Sequence, residues 1–404
     1  MKRLTMKKLI ILELANNHMG DVNHGLLIIN EFAKVTTDLV NFSDDFEFAF
    51  KFQFRDIDTF IHPDYQNRMD LKYVKRFSET KLTKDQFYAL KNEAKKKGFI
   101  TICTAFDEPS VGLIEEMGFD KIKIASCSFT DWPLLNRIAE TDLPIIASTA
   151  GSSIDEIDKV VSFFLHRNKD LSIMHCVGQY PTNLINLELN QIDLLKTKYP
   201  NLSIGYSTHE PPDQVDAVKI AIAKNVDILE KHIGIKTDKY ELNNYSVNPQ
   251  KLFTWLISAQ TSLAMCGVKE RSKPTKNELT DLLQFKRGVF VKKNIKAGDV
   301  IDKSNVFYAW PNVENQILAN DMSKYIHFTA NKDIPANSPV LTTETTKIET
   351  REEVWNAVQK VKKFLLDSGV TFPEKAKLEL SHHYGLDKFY ETGITMITVI
   401  NDTY

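Results

Sequence analysis

The chain has 404 residues, 43% of them hydrophobic, and a formal net charge of −2. That is enough apolar material for a large core, and so balanced a charge gives no electrostatic reason to seek nucleic acid or an anionic membrane. The opening MKRLTMKKLIILELANN carries a basic flank, but its apolar run from Leu9 to Leu12 meets Glu13, too soon for a secretory segment, and no later run approaches a membrane span. The four cysteines, Cys103, Cys127, Cys176 and Cys266, show no paired spacing, and three lie in or beside apolar strands, so reduced thiols and a cytoplasmic home are expected.

Eight strand-like runs follow one another: LIILELA (9–15), FAFKFQF (48–54), FITICTA (99–105), KIKIAS (121–126), PIIAST (144–149), LSIMHCV (171–177), LSIGYST (202–208) and DILEKHI (227–233). Segments of helical patterning separate them, among them DQFYALKNEAKKKG, SIDEIDKVVSFFLH and PDQVDAVKIAIAKN. Eight strand-then-helix units over about 250 residues predict an α/β fold of the (β/α)8 TIM-barrel type. A doubly wound open sheet is the alternative, but no glycine-rich turn follows the first strand.

In a barrel the C-terminal strand ends share one face, where the active site sits. Those ends carry Glu13, Lys51, Gln53, Thr104, Lys123, Ser126, Ser148, Thr149, His175, Ser207, His209, Glu230 and His232. Any single serine or threonine there is unremarkable, because strand ends are where polar residues begin. Lys51 and Lys123 are different, since an unpaired ammonium inside an apolar strand is costly. Lysines and hydroxyls suit a phosphate or carboxylate, and His209 with His232 suits a divalent metal with open positions for substrate. A lysine forming a Schiff base, as in class I aldolases, stays open at this point.

The motifs ELANNHMGD, FKFQF, CTAFD, IKIASCSFTDWPLL, IIASTAGS, HCVGQYPT, IGYSTHE and LEKHIGI stand in an order that resembles the sialic acid synthase family, followed by KRGVFVKKNIKAGDVIDKSNVFYAWP in a second domain. The likeness spans roughly residues 10 to 345. It implies condensation of phosphoenolpyruvate with an N-acylated amino sugar to give a nonulosonic acid. By this resemblance Glu13 engages the sugar, while Lys51, Thr104, Lys123, Ser126, Ser148 and Ser207 hold phosphoenolpyruvate. His209 and His232 match the family's Mn2+ or Mg2+ ligands, Gln53 faces the same substrate pocket, and Tyr180 lies where the family's YPT tyrosine meets the sugar. Glu13, Lys51 and Lys123 are the expected catalytic residues. The chain departs from the family at Ser128, Gly178 and Thr208, where relatives carry Glu, Asn and Asp, in the segment KYELNNYS, and at Trp310, where relatives often place an arginine that reaches the sugar's acyl group. Those departures concern the sugar more than phosphoenolpyruvate.

The expected organisation is a barrel over 1–266, a polar linker over 267–284, a small β module over 285–346 and an accessory segment over 347–404. In the β module VFVKKNIKAGDVI is echoed by FTANKDIPANSPVL, each a strand, a turn and a strand. It resembles the antifreeze-like (SAF) domain, which implies a homodimer whose module reaches the partner's barrel mouth. The last segment loosely resembles the lead-in to a cupin module, and its adjacent His382 and His383 point apart as chain neighbours do. Two other readings remain beside the synthase: a metal-dependent pyruvate aldolase or lyase, and a non-catalytic sugar-binding relative.

Overall fold

The computed structural model describes residues 7–38, 45–323 and 325–350, isolated positions between 352 and 369, and two short strands, Leu378–Ser381 and Met396–Val399. His382, His383 and most of the accessory segment lie outside the described residues. The chain divides into two compact units, Met1–Lys269 and Glu270–Tyr404.

The first unit is the expected (β/α)8 barrel. Its strands are β1 (Lys8–Glu13), β2 (Phe46–Phe54), β3 (Ile100–Ala105), β4 (Lys121–Ile124), β5 (Ile145–Ser148), β6 (Leu171–Cys176), β7 (Ser203–Thr208) and β8 (Ile228–His232). They pair in parallel in chain order, and β8 returns to β1 to close the ring. Several helices between the strands begin where short polar side chains satisfy free backbone N–H groups. Thr83 and Ser153 form capping boxes with Gln86 and Glu156, while Asp107 and Asp131 cap helices that open with proline.

Side chains alternate along each strand, so every second residue faces the barrel axis. Leu9, Ile11, Ala49, Ile102, Ile146, Met174 and Ile228 form one buried apolar cluster, the floor of the barrel interior. Gly205 belongs to the same parity. A Cβ there would stand 2.9 Å from the Met174 side chain and 3.0 Å from Ile228 Cβ, so the glycine makes room for its neighbours. One step further along the same faces the chain changes character to Glu13, Lys51, Thr104, Ser148, Ser207 and Glu230, all buried. The outward faces pack against the helices in the main core, where Trp255, Phe50 and Phe164 are fully enclosed.

The second unit contains β9 (Gly288–Val291), β10 (Val300–Ile301), β11 (Val306–Ala309), β12 (Ile326–Ala330) and β13 (Thr345–Glu349). β9 pairs with β11, and β10, β12 and β13 form an antiparallel sheet. The internal echo has a structural counterpart: Ile295 and Ile334, at equivalent points of the two copies, exchange both backbone hydrogen bonds at 2.9 Å. Both are buried with Val289, Val291, Phe328 and Val340. The expected polar linker is partly helical. Thr275 accepts from Glu278 N and starts a helix over Lys276–Leu283. Trp310 Nε1 donates to Gln284 O at 2.7 Å, and Asn312 donates to Leu283 O and Lys286 O, which ties the end of that helix to the sheet. The last two strands, β14 (Leu378–Ser381) and β15 (Met396–Val399), pair in parallel.

No helix of the described residues is long and apolar enough to cross a membrane. All four cysteines are free. Cys103 and Cys176 are buried as expected, but Cys127 is exposed, because it stands in a 3-10 turn, Ser126–Ser128, rather than in β4.

Candidate active site

Closure of the barrel brings four charges together at the rim of the apolar floor. Register sets Glu13 beside Lys51 on one side and beside His232 on the other. Lys51 Nζ lies 2.8 Å from Glu13 Oε2 and 2.7 Å from Glu230 Oε2, and Lys123 Nζ lies 3.0 Å from the same Glu230 oxygen. Ser207 Oγ donates to Glu230 Oε1 at 3.0 Å, and Gln53 Nε2 donates to Glu13 Oε1 at 3.0 Å. Two ammoniums against two carboxylates make the cluster neutral, which is how these buried charges avoid the cost of an unpaired ion. Burial works to lower Lys51 and Glu230 works to raise it back; the ammonium stays below the ordinary lysine range. For Glu230 burial works upward, but Lys123 and Lys51 outweigh it and hold the carboxyl below the usual range.

Glu230 is the functional group that strand-by-strand reading left without a role. It was visible at its strand end two residues before His232, hence on the same face, but its position between two lysines from distant strands emerges only when the ring closes. An ammonium has three N–H donors. Lys51 spends two on carboxylates and Lys123 one, so both retain donors for a ligand. Thr104 Oγ1 and Ser148 Oγ are buried on the same rim with no hydrogen-bond partner. Ser126 Oγ accepts from Ala150 N at 3.1 Å. His175 and Thr149, which the strand ends also offered, turn away. His175 Nε2 meets Leu187 O at 2.7 Å and its ring stacks on Tyr206, while Thr149 Oγ1 donates to Met174 O. Parity explains the first: Met174 and Cys176 face inward, so His175 faces out.

His209 follows β7 and His232 ends β8, with ring centroids 5.1 Å apart. His209 Nδ1 sits 3.0 Å from Val177 O, a hydrogen bond that puts the proton on Nδ1 and leaves Nε2 as the acceptor. His232 Nδ1 is buried with no partner. Burial pushes His209 down to about 4, with the Val177 carbonyl pulling it back up, and burial followed by His209 holds His232 well below the ordinary range. Both rings are therefore neutral near pH 7. Tyr180 stands 4.3 Å from the His209 ring and is half open to solvent. Tyr245 packs edge-on against His232 at 5.1 Å. Tyr245 comes from the altered segment after β8, which Asn17 anchors by donating to Ile233 O at 2.6 Å and accepting from Asn243 at 3.1 Å. No periodicity marks that loop, so its tyrosine escaped sequence reasoning. Trp310 belongs to the other unit.

Residues 48–270, more than half of the chain, match the NeuB family. The chain belongs to the NeuB family. A solved structure from Chromobacterium violaceum, provisionally named spore coat polysaccharide biosynthesis protein E, is 48% identical with a TM-score of 0.80, covering 84% of this chain and 100% of that one. The N-acetylneuraminic acid (sialic acid) synthetase of Leptospira borgpetersenii, solved with citrate, is 28% identical with a TM-score of 0.59, over 68% of this chain and 90% of that one. The N,N'-diacetyllegionaminic acid synthase of Campylobacter jejuni is 26% identical over 74% of this chain and 89% of its own length. The relatives of this NeuB chain thus include synthases of nonulosonic acids.

Behind the two histidines this NeuB chain places a second ion pair. Lys231 Nζ lies 3.1 Å from Glu210 Oε1, with both side chains fully enclosed. Glu210 follows His209 and Lys231 precedes His232, so the pair clamps β7 to β8 on the face opposite the imidazoles. Thr208 is aligned with Lys231 across the strands, and Glu210, two residues further on the same face, supplies the carboxylate that this lysine meets.

Two outcomes follow from these charges. Glu210→Gln strands the Lys231 ammonium and should cost about 3–5 kcal/mol in urea unfolding, while Glu210→Gln with Lys231→Met should recover most of that loss. Equal destabilisation in the single and double variants would show that the pair is not the cause. Unfolded His209 takes its proton near 6.5 and folded His209 only near 4. Its neutral form therefore contributes stability above about pH 6.5 that is lost as pH falls toward about 4, roughly 3 kcal/mol at most. Thermal melts of chelator-treated protein over that window should fall more steeply for the wild type than for His209→Asn, and parallel slopes would contradict the assignment.

Proposed function

We propose that this protein is a nonulosonic (sialic-type) acid synthase that condenses phosphoenolpyruvate with an N-acylated amino sugar and releases phosphate, serving surface carbohydrate biosynthesis. The observation that carries the reading is the rim of one barrel, in a family with named nonulosonic acid synthases, where two lysines, free hydroxyls and two neutral imidazoles converge. C3 of phosphoenolpyruvate bonds to the aldehyde carbon of the open-chain sugar, whose oxygen takes a proton and becomes a hydroxyl. Water adds at C2, the C2–O bond to phosphorus breaks, and phosphate departs with the bridging oxygen, leaving a 2-keto acid. Lys51 and Lys123 hold the anionic substrate with the N–H donors that Glu13 and Glu230 leave free, helped by Thr104, Ser126, Ser148 and Ser207. Glu13, oriented by Gln53, receives the sugar, and Tyr180 flanks it.

A divalent Mn2+ or Mg2+ ion fits the histidine pair: the donors are neutral imidazoles, one with a buried Nδ1 that has no other partner. No group of three or more His, Cys, Asp or Glu suited to a metal occurs among the described residues, so substrate and water would complete the shell. When bound, the ion supplies Lewis acidity toward an aldehyde oxygen. His209 and His232 would hold it, and the Glu210–Lys231 clamp keeps the two strands that carry them in register. The active form is proposed to be a cytoplasmic homodimer in which the SAF-like module completes the partner's site. Trp310 would then set sugar choice by its ring face, since its N–H is bound to Gln284 O.

Inorganic phosphate measured across a panel of N-acylated and 6-deoxy amino sugars tests the reaction. Phosphate should appear only with phosphoenolpyruvate and a sugar together, vanish with chelator and return with Mn2+ or Mg2+. His209→Ala and His232→Ala should lower kcat by about 100-fold or more, and Lys51→Met or Lys123→Met should raise the KM for phosphoenolpyruvate. Turnover of free pyruvate in place of phosphoenolpyruvate would indicate an aldolase, and sugar binding without phosphate release a non-catalytic relative. Removal of residues 285–404 should leave a folded barrel that binds phosphoenolpyruvate and barely turns over; a fully active monomeric barrel would refute the dimer.

A further inference from the structure

Tyr245 stands in the segment KYELNNYS that follows β8, and the backbone ties it to the strand it faces. Val247 N donates to His232 O at 2.9 Å and Gly234 N to Val247 O at 3.0 Å, and Ile233 pairs with Val247 as an isolated parallel bridge. Asn243 shapes the turn before it. Its Oδ1 accepts from Tyr245 N at 3.2 Å and from Ser246 N at 2.8 Å, as asparagine side chains do where a chain reverses. Asn17, in the turn after β1, holds the same segment by donating to Ser246 Oγ at 3.1 Å. Gly234 lets the two runs approach, since a Cβ there would stand 2.6 Å from Leu242 Cδ1 and 3.1 Å from Asn17 Nδ2. Two residues before a backbone group bonded to His232 itself, Tyr245 has a place fixed relative to that imidazole.

The two imidazoles differ in what orients them. His209 Nδ1 has Val177 O at 3.0 Å and Cys176 Sγ at 3.9 Å. His232 Nδ1 is buried and has no polar partner among the described residues. The torsion that turns a histidine ring is broad, so a ring without a hydrogen bond is set by packing. A metal-bound imidazole ordinarily has its second nitrogen held by an acceptor, and losing such a partner costs about 10–100-fold in metal affinity. At His232 rings take that place. Tyr245 meets His232 at 5.1 Å with the planes at 90°, and His209 at 6.2 Å with the planes at 89°. Tyr180 closes the group, 5.3 Å from Tyr245 and 4.3 Å from His209. Edge-to-face contact at such separations is a preferred arrangement of aromatic rings, and rotation of the His232 ring would give it up.

We propose that Tyr245 is the positioning residue of His232: its ring stands in for the kind of hydrogen bond that orients His209 and holds the imidazole ready for a divalent cation. This rests on the reading of the histidine pair as the holders of that ion, and goes beyond it by assigning the orientation of one of them to a side chain outside the barrel strands. The contact is made by the ring, so phenylalanine suffices at this position and a flexible side chain does not.

The test is Mn2+ binding to the full chain, read from the electron paramagnetic resonance signal of the free ion, for the wild type, Tyr245→Phe, Tyr245→Ala and His232→Ala. Tyr245→Phe should bind within about 3-fold of the wild type and Tyr245→Ala about 10-fold or more weakly. Tyr245→Met, which fills the space without a ring plane, should show the same loss, and it decides the matter if the alanine variant fails to fold. In phosphate release the Mn2+ needed for half-maximal turnover should rise by the same factor in Tyr245→Ala, with excess Mn2+ restoring most of kcat. Alanine and methionine variants with wild-type affinity for Mn2+, a phenylalanine variant as weak as the alanine one, or a loss confined to the sugar's KM overturns the inference. If His232→Ala loses the ion while those variants keep it, the metal reading stands and the role of Tyr245 falls alone. Equal binding by the wild type and His232→Ala, or no binding by the wild type, removes the metal reading and the inference with it.

Discussion

The ionic cluster of Lys51, Lys123, Glu13 and Glu230 is the constraint around which the barrel is built. Each member is at most a few per cent exposed, so none can be removed without leaving an opposite charge stranded in a poorly solvated place. The members come from β1, β2, β4 and β8, and their contacts of 2.7–3.0 Å require that β8 close against β1 in one register. A slip of one residue would turn a charged side chain from the axis into the apolar layer beneath the helices. The cluster thus ties ring closure to site assembly, and the apolar floor below it keeps the charges near one end of the interior.

A neutral cluster is also a useful resting state for an anion site. Two bare ammoniums side by side would repel each other, whereas Glu230 between them contacts both and works to raise Lys51 against the lowering by burial. An incoming carboxylate or phosphate then meets donors already held in place, which is the general advantage of a preorganised electrostatic site. The same economy recurs behind the histidines. The Glu210–Lys231 pair sits on the outward faces of β7 and β8, and the imidazoles are set on the other face by the alternation of the strands. Neutral imidazoles on one side and a compensated ion pair on the other let two polar strands lie in the core of the fold.

The barrel was legible because strands buried on both faces read as continuous apolar runs, and because Lys51, Lys123 and the two histidines violate that pattern where the rim begins. Local chemistry was legible as well, in Thr83 and Ser153 starting helices where short polar residues precede an apolar period. What was not legible depends on partners far apart in sequence. Glu230 reads as one more polar strand-end residue until it is found beside Lys51, 179 positions away by their numbers. His175 was misplaced because strand ends were read as a set rather than by parity. Tyr245 and Arg55 lie in connections, whose course follows from tertiary contacts such as Asn17 with Ile233 O and Arg55 with Phe106. The helix Lys276–Leu283 was hidden by its polar composition, although Thr275 followed by Glu278 carries the start signal.

Counted by strand face, the charges behind the histidines balance: Thr208 and Glu210 share a face, and Glu210 brings the carboxylate that Lys231 meets there. At Trp310 the indole has its N–H committed to Gln284 O, so it offers a ring and no free donor. Within the barrel unit Arg55 has a buried Nε without a partner, while the charge of Asp107 acts on it from nearby. Arg55 lies over the rings of Phe77 and Phe106, both of the barrel unit. The two positions thus differ in what each can offer: a partly unpaired guanidinium in the barrel unit and an indole face in the β module.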